Sequence, residues 1–285
     1  MRWRWCVCDL DGTLLDPSGD LSPRDRAAVA QLRAAGIEVV LATGRLDLMA
    51  LRYAHELGVT APVIACNGAL VRDPVTREVL FARAIEAPLV TLLRRHLQAR
   101  GLHYLLYTAD RVYHTEGSPR LARLDRYNAG ARPEHRVPIS PLRELDRLRP
   151  PSPALKLLVT GVGQEVVDEI EELLGDAGRL ALVVSERDVI DITADGTSKG
   201  AGLEVLARVR GMDLARTVAF GDNHNDLSML ERCGLPIAMG NAEPEVKRAA
   251  AFVTRTNAEA GVAHAVETLL LAGGAARTPP APSSE

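Results

Sequence analysis

The chain has 285 residues, enough for one large domain or two smaller ones at roughly 100–200 residues each. Hydrophobic residues make up 47% and charged residues 25%, which excludes wholesale disorder, and with aromatics at 4% the core must rest on Leu, Val, Ile and Ala. Lys+Arg 34 against Asp+Glu 37 gives a net charge of −3, without the basic footprint of a nucleic-acid binder, so no nucleic-acid partner is expected.

The start, Met1 to Leu10, is too short and too charged for a signal peptide, and no apolar run approaches the ~20 residues of a membrane-spanning helix. A cytoplasmic protein with no membrane partner is expected. Trp5 to Leu10 is a short apolar run ending at Asp-Gly, which predicts a buried strand. Ser22-Pro23 opens a helix, with Ser22 as N-cap, Asp25 three residues on and Gly36 as the stop. Ile37 to Ala42 is the next strand. Thr43-Gly44-Arg45 is a sharp junction into a second helix that ends near Gly58, and Pro62 to Cys66 is a third strand. This alternation predicts a parallel sheet with helices on its faces and ligands beyond the carboxyl ends of the strands, where Asp9 to Asp11, Thr43 and Asn67 fall.

The rhythm changes after Asn67-Gly68. Two strands around Asp73-Pro74, a helix at Pro88–Gly101, strands near Leu102–Tyr107 and Val112–His114, a Pro-rich stretch, a strand at Leu155–Thr160, a helix at Gln164–Gly175 and two further strands read as an inserted α+β unit. The first rhythm resumes with a helix at Thr197–Arg210, a strand at Thr217–Phe220 and the loop Gly221-Asp222-Asn223-His224-Asn225-Asp226. A last helix, capped by Asn257, carries Val262, Val266, Leu269 and Leu270. The expected organisation is an α/β, Rossmann-like parallel-sheet core of residues 1–81 and 189–272, an α+β insert of residues 82–188, and a Gly/Pro/Ser-rich disordered tail of residues 273–285. Cys6, Cys8, Cys66 and Cys233 lie in apolar runs without zinc-knuckle spacing, which predicts reduced core thiols.

Asp9-Leu10-Asp11-Gly12-Thr13 places two carboxylates at i and i+2 at the end of a strand, where they can face one side. One carboxylate can attack phosphorus and form an acyl phosphate, and the other can serve as general acid and then base. The bland alternative is an Asp-Gly turn. Asp222 and Asp226 add carboxylates, and Asp9, the Asp11 carbonyl and Asp222 would suit Mg²⁺, which takes hard oxygen ligands. Alternatively Asp226 caps the following helix. Lys199 can balance phosphate charge, and the Thr43 hydroxyl with the Thr43 and Gly44 amides can bind phosphate at a helix start. Asn67-Gly68 is either a substrate contact or a hairpin turn. His224 has no second His at ligand spacing and reads as an exposed loop residue. Tyr107, Tyr113 and His114 either line a pocket or pack within strands.

In combination, Asp9-Leu10-Asp11-Gly12-Thr13, Thr43-Gly44-Arg45, Lys199 and the Gly221–Asp226 loop resemble the haloacid dehalogenase superfamily of phosphatases. Asn67-Gly68-Ala69, Ser198-Lys199-Gly200 and the Gly-Asp-x-x-Asn-Asp loop narrow the resemblance to its Cof-type branch, with the insert as a C2-type cap. The resemblance implies Asp9 as nucleophile and metal ligand, Asp11 as acid/base and carbonyl ligand, and Asp222 as third ligand of Mg²⁺. It implies phosphate binding by the Leu10 amide, Thr43, Gly44, Lys199 and Asn225, with Asp226 orienting Lys199 or a metal-bound water. Asp11, which true dehalogenases of this superfamily lack, favours phosphate chemistry. The expected activity is hydrolysis of a phosphomonoester of a small metabolite (a sugar phosphate, nucleotide or cofactor phosphate). Alternatives are a sugar phosphomutase using the same phosphoaspartate, or a silent binding protein, whose signature would be loss of Asp9, Asp11 or the lysine. Hinges for a closing cap are expected near Leu80–Arg83 and Arg187–Asp191.

Overall fold

The computed structural model describes residues 2–175, 179–186 and 188–271, and the expected tail of residues 273–285 lies outside them. The chain begins β1 (Trp5–Cys8), α1 (Pro23–Ala34), β2 (Glu38–Leu41), α2 (Asp47–Leu57), β3 (Val63–Ala65), β4 (Leu70–Arg72) and β5 (Val79–Ala82). The insert continues with α3 (Ala87–Ala99), β6 (His103–Tyr107), β7 (Val112–His114), α4 (Leu121–Gly130), β8 (Ile139–Pro141), α5 (Leu142–Leu145), β9 (Lys156–Thr160), α6 (Gln164–Leu174), β10 (Leu180–Glu186) and β11 (Val189–Ala194). Then come α7 (Lys199–Arg210), β12 (Thr217–Gly221), α8 (Leu227–Leu230), β13 (Leu235–Ala238), α9 (Pro244–Ala249), β14 (Phe252–Val253) and α10 (Gly261–Ala265).

Five strands form the parallel core sheet in the order β14-β13-β12-β1-β2. All four residues of β1 are buried, because helices cover both faces of a parallel sheet. Each fully buried Val or Leu in such a strand contributes about 1.5–3 kcal/mol. A parallel bridge from Ala42 to Ile64 seats β3 beside β2. The chain winds from β1 to β2 in one direction and returns to the other side of β1 as β12, so the crevice at the carboxyl ends of β1 and β12 is a topological switch point.

Local signals in the sequence explain the helix ends. Ser22 caps α1 by accepting from the Asp25 N–H at 3.0 Å. The buried Asp25 carboxylate accepts from the Ser22 hydroxyl at 2.7 Å and from the Ala263 N–H at 2.8 Å, which ties α1 to α10. Gly58 closes α2 in the left-handed conformation with φ 63°. Asn257 does not cap the last helix. That helix has no side-chain cap; Thr256 and Glu259 form a capping box on the turn Asn257–Glu259 ahead of it, and Asn257 donates from its side chain to the Leu15 carbonyl at 2.8 Å.

The second sheet has six strands in the order β10-β11-β9-β6-β7-β8, antiparallel except for β7 and β8. β11 pairs with β9 and β10, so Val189–Ala194 lies in the insert's sheet, past the Asp188 at which the sequence reading closes the insert. The second connection therefore runs through residues 195–198, and Asp191, expected in a hinge, is buried inside β11. One face of this sheet builds the insert's own core from Tyr104, Leu106, Tyr113, Leu157, Val159, Ile190 and Ile192. The other face, with Leu105, Tyr107 and Val112, joins the main core and caps the crevice. Among the described residues no helix is long and apolar enough to cross a membrane.

The turn between β3 and β4 braces the entry to α7. Gly68 has φ +97°, and a Cβ there would lie 2.0 Å from the Ser198 carbonyl oxygen. Gly68→Ala is expected to lose on the order of 1–3 kcal/mol from backbone strain alone. The clash with Ser198 adds to this loss. Thermal or urea unfolding checks it, and an unchanged midpoint would refute the close approach.

Candidate active site

Three segments converge at the carboxyl end of the core sheet. Asp9 follows β1, and its N–H donates to the Phe220 carbonyl at 3.1 Å, which carries the β1–β12 ladder past the strand end. Lys199 opens α7 behind the Ser198 N-cap, whose hydroxyl accepts from the Ala201 N–H at 3.1 Å. A lysine in a first helical turn is ordinarily exposed, but Lys199 is 1% exposed. Its Nζ donates to Asp9 Oδ1 and to Asp226 Oδ1, each at 2.6 Å.

The acidic loop is folded around Asp226. Its Oδ2 accepts from the Asp222 N–H at 2.9 Å and the Asn223 N–H at 3.1 Å. Asp226 makes no side-chain cap to α8 itself, but it closes a capping box with Asn223 on the helical turn His224–Asp226 that leads into α8, so its capping role and its hold on Lys199 coexist. Asp222 Oδ1 accepts from the Thr13 hydroxyl at 3.0 Å. Gly12 has φ +82°, and a Cβ there would sit 2.2 Å from Asp222 Oδ2, so the motif requires glycine at this point.

Carboxylate oxygens of Asp9, Asp222 and Asp226 lie within 4.8 Å of one another. Burial pushes the Asp9 carboxyl well up, against the pull of Lys199 and with Asp226 and Asp222 adding to the rise. Burial also raises Asp222 to about 7, with the charge on Asp226 contributing. Burial works against the Lys199 ammonium, but Asp226 and Asp9 outweigh it and its pKa rises. The directions reconcile because one ammonium faces three carboxylates, so Lys199 stays charged while the acids compete for it. A hard divalent cation fits this set, since every donor is oxygen and the cluster carries excess negative charge. Asp9 and Asp222 have the oxygens to offer. Asp226 has both of its own committed to Lys199 and to backbone amides.

The other residues singled out from sequence distribute around this cluster. The Asp11 side chain, 50% exposed, is turned onto Arg45, which donates from Nε to Oδ2 at 2.7 Å and from Nη2 to Oδ1. Arg45 also donates to the Tyr53 hydroxyl at 3.3 Å. The Asp11 carboxylate is therefore committed to Arg45 and is not among the oxygens that gather with Asp9, Asp222 and Asp226. Leu10 is buried, and its carbonyl accepts from the Leu15 N–H at 2.9 Å. The Thr43 N–H is spent on the Ile64 carbonyl at 2.8 Å, leaving its hydroxyl, which accepts from the Arg45 N–H at 3.1 Å. α2 begins at Asp47, so Thr43 and Gly44 lie ahead of the helix and not in its first turn. Asn225 Nδ2 donates to Asn67 Oδ1 at 3.1 Å, and Asn67 Nδ2 donates to Asp191 Oδ2 at 3.0 Å. Asn67 joins β3 to β4 as a turn residue and also points into the site's hydrogen-bond network. His224 is half exposed beside Glu245.

Sequence reasoning gave no role to Thr13, Arg45 or Lys156, and placed Asp191 only at the end of a hinge. Thr13 and Arg45 stood inside quoted motifs. Lys156 and Asp191 carried a signal of their own, a single charge within an apolar strand run.

A family model described as haloacid dehalogenase-like hydrolase matches residues 6–266. The chain is 30% identical over 276 residues to a pyridoxal phosphate phosphatase of Escherichia coli, covering 95% of this chain and 100% of the relative. It is 29% identical over 287 residues to a 5-amino-6-(5-phospho-D-ribitylamino)uracil phosphatase of Bacillus subtilis, covering 93% and 98%. A solved haloacid dehalogenase-like hydrolase from B. subtilis superposes with a TM-score of 0.80 at 29% identity, covering 93% of this chain and 99% of that one.

The raised Asp222 carboxyl predicts a pH signature in the metal-free protein. Its folded value of about 7 lies above the ordinary carboxylate value of about 3.9. Between these values the folded state holds more protons than the unfolded chain, so stability falls as pH rises through that window. The EDTA-treated protein is expected to melt at a lower temperature at pH 8 than at pH 6. Millimolar Mg²⁺ should raise the melting point more at pH 8, where the Asp222 carboxyl is ionised. Scanning calorimetry checks this, and equal stabilisation at both values would contradict it.

Proposed function

The chain belongs to the haloacid dehalogenase-like hydrolases, and from that membership we propose that it is a phosphatase acting on the phosphomonoester of a small metabolite through a phosphoaspartate at Asp9. The observation that carries this reading is the buried Lys199, which grips one oxygen of Asp9 and is itself held by Asp226. Asp9 and Asp222, with the Asp11 carbonyl, would hold Mg²⁺. The bound ion would supply positive charge against which a phosphate dianion can approach three carboxylates.

The protein groups divide the remaining work. The Asp9 oxygen that Lys199 leaves free attacks phosphorus, and the bond from phosphorus to the ester oxygen breaks. Asp11 gives its proton to that leaving oxygen. Asp11, now ionised, then takes a proton from water as the water oxygen attacks phosphorus. The bond to Asp9 breaks and orthophosphate leaves. Lys199, the Thr43 hydroxyl, the Leu10 and Gly44 amides and Asn225 balance charge on the phosphoryl oxygens, where such preorganised donors act most strongly. Arg45 fixes the position of Asp11 while it is ionised. Asp226 is a positioning residue for Lys199.

The named activities of the relatives, on pyridoxal phosphate and on 5-amino-6-(5-phospho-D-ribitylamino)uracil, support a phosphorylated cofactor or a phosphorylated heterocycle of that kind as substrate. The test is orthophosphate release from a panel that includes pyridoxal 5′-phosphate, hexose phosphates, ribityl phosphates and nucleotides. Release is expected only with Mg²⁺, and Asp9→Asn should lower it on the order of 10³-fold or more. Release that survives Asp9→Asn or EDTA would overturn the mechanism. Isomerised sugar phosphate without orthophosphate would replace the hydrolase by a mutase.

A further inference from the structure

A second buried ion pair ties the insert to the core at the edge of the site. Lys156 on β9 and Asp191 on β11 are 2% and 3% exposed. The register pairs Thr193 with Lys156 and Leu158 with Asp191, so the two charged residues are diagonal neighbours on one face of the sheet. This is the face that carries Leu105, Tyr107 and Val112 against the core.

Each donor direction of the Lys156 ammonium is occupied. Nζ donates to the Gly44 carbonyl at 2.7 Å and to Asp191 Oδ2 at 3.1 Å, and it lies 4.8 Å from the centre of the Tyr107 ring. The group is committed to protein partners and is not a substrate clamp. Its contact with Gly44 has a specific consequence. The Gly44 carbonyl and the Arg45 N–H belong to one planar peptide unit, and that N–H donates to the Thr43 hydroxyl at 3.1 Å. Fixing the carbonyl end of the plane fixes the donor end, and with it the orientation of the Thr43 hydroxyl.

Asp191 works on the neighbouring side. Its Oδ2 accepts from Asn67 Nδ2 at 3.0 Å, and Asn67 Oδ1 accepts from Asn225 Nδ2 at 3.1 Å. A Cβ on Gly44 would meet Asn67 Oδ1 at 2.9 Å, so the amide lies against the same backbone. Cys66 and Asn67 both hold left-handed backbone, with φ 49° and 55°, a conformation that costs energy in residues with a Cβ. A buried ion pair is often no more stabilising than an apolar pair of equal volume. Two charges, an asparagine and a strained turn converging on Gly44 are therefore poorly explained as packing alone.

We propose that Lys156 and Asp191 are positioning residues through which the docked cap organises the phosphate-binding groups, Lys156 acting on Thr43 through the Gly44–Arg45 peptide and Asp191 acting on Asn225 through Asn67. The proposal rests on the reading of Thr43, Gly44 and Asn225 as phosphate contacts. It makes the cap part of the phosphate site and not only a selector of leaving groups.

The test compares wild type with Lys156→Met, Asp191→Asn and the double variant Lys156→Met/Asp191→Leu, which leaves no unpaired buried charge. Readouts are kcat and KM on three esters with unrelated leaving groups, affinity for orthophosphate with Mg²⁺ by titration calorimetry, and melting temperature. Loss of a charge-assisted hydrogen bond predicts orthophosphate affinity weaker by about tenfold. KM should rise by the same factor for all three esters, with a smaller shift in the same direction for Asp191→Asn. A double variant that melts like wild type and binds orthophosphate equally well would overturn the proposal. So would a KM change confined to one ester with orthophosphate binding intact. If wild type released no phosphate from any ester, the phosphatase reading would fail on its own, while the calorimetric comparison would still decide the role of the pair.

Discussion

The Lys199 ammonium is the constraint on which the rest of the site depends. It draws together the end of β1, the start of α7 and the loop after β12, with Asp9 lying 190 positions from Lys199 and Lys199 another 27 from Asp226. Burying a lone ammonium is prohibitive, and burying three carboxylates near one another is worse. Together they are tolerable but unbalanced, because one positive charge meets three negative ones. Backbone amides from Asp222 and Asn223 satisfy what remains of Asp226. This leaves Asp9 and Asp222 as the acids whose ionised forms are penalised. The geometry thus directs its electrostatic deficit to the two carboxylates best placed to meet a cation.

Why the sheet delivers these groups to one crevice follows from topology. Strands in a parallel sheet all point their carboxyl ends the same way, and β1 lies where the winding reverses, with β2 on one side and β12 on the other. Asp9 and Asp222 therefore emerge side by side. The insert leaves after β5 and returns after β11, so its sheet lies over the same end. Because the insert's own helices cover one face of that sheet, the other face is free to pack on the core, and it does so with apolar residues interrupted by Lys156 and Asp191.

Much of this was legible in the sequence, for definite physical reasons. Strand, loop and helix alternate with caps such as Ser22 and stops such as Gly58, which declares the parallel sheet. The family resemblance carried by the Asp9–Thr13, Lys199 and Gly221–Asp226 motifs is borne out by the comparisons. What sequence could not supply was partnership. Arg45 was visible in its motif, but nothing local shows that it grips Asp11. Thr13 gives no sign of its bond to Asp222, 209 positions away. The run Val189–Ala194 is equally suited to either sheet, since an apolar strand does not encode which edge it pairs with, and only the ladder with β9 and β10 assigns it. Asn257 lay beside a helix start and read as a cap, whereas its side chain serves a loop near the other end of the chain.

The two buried lysines show how one side chain takes opposite electrostatic roles. Lys199 faces more acid than it can neutralise, so its surroundings favour a further cation. Lys156 faces one carboxylate, one carbonyl and one aromatic ring, and its surroundings are balanced without any added ion. A charge-matched pair gives nothing to a charged ligand directly, but it holds the Gly44 backbone and the Asn67 amide in place. With the arrangement observed, the excess lies at the end of the core sheet, where a cation can offset it, and the insert brings to the crevice a lysine and an aspartate already paired with each other.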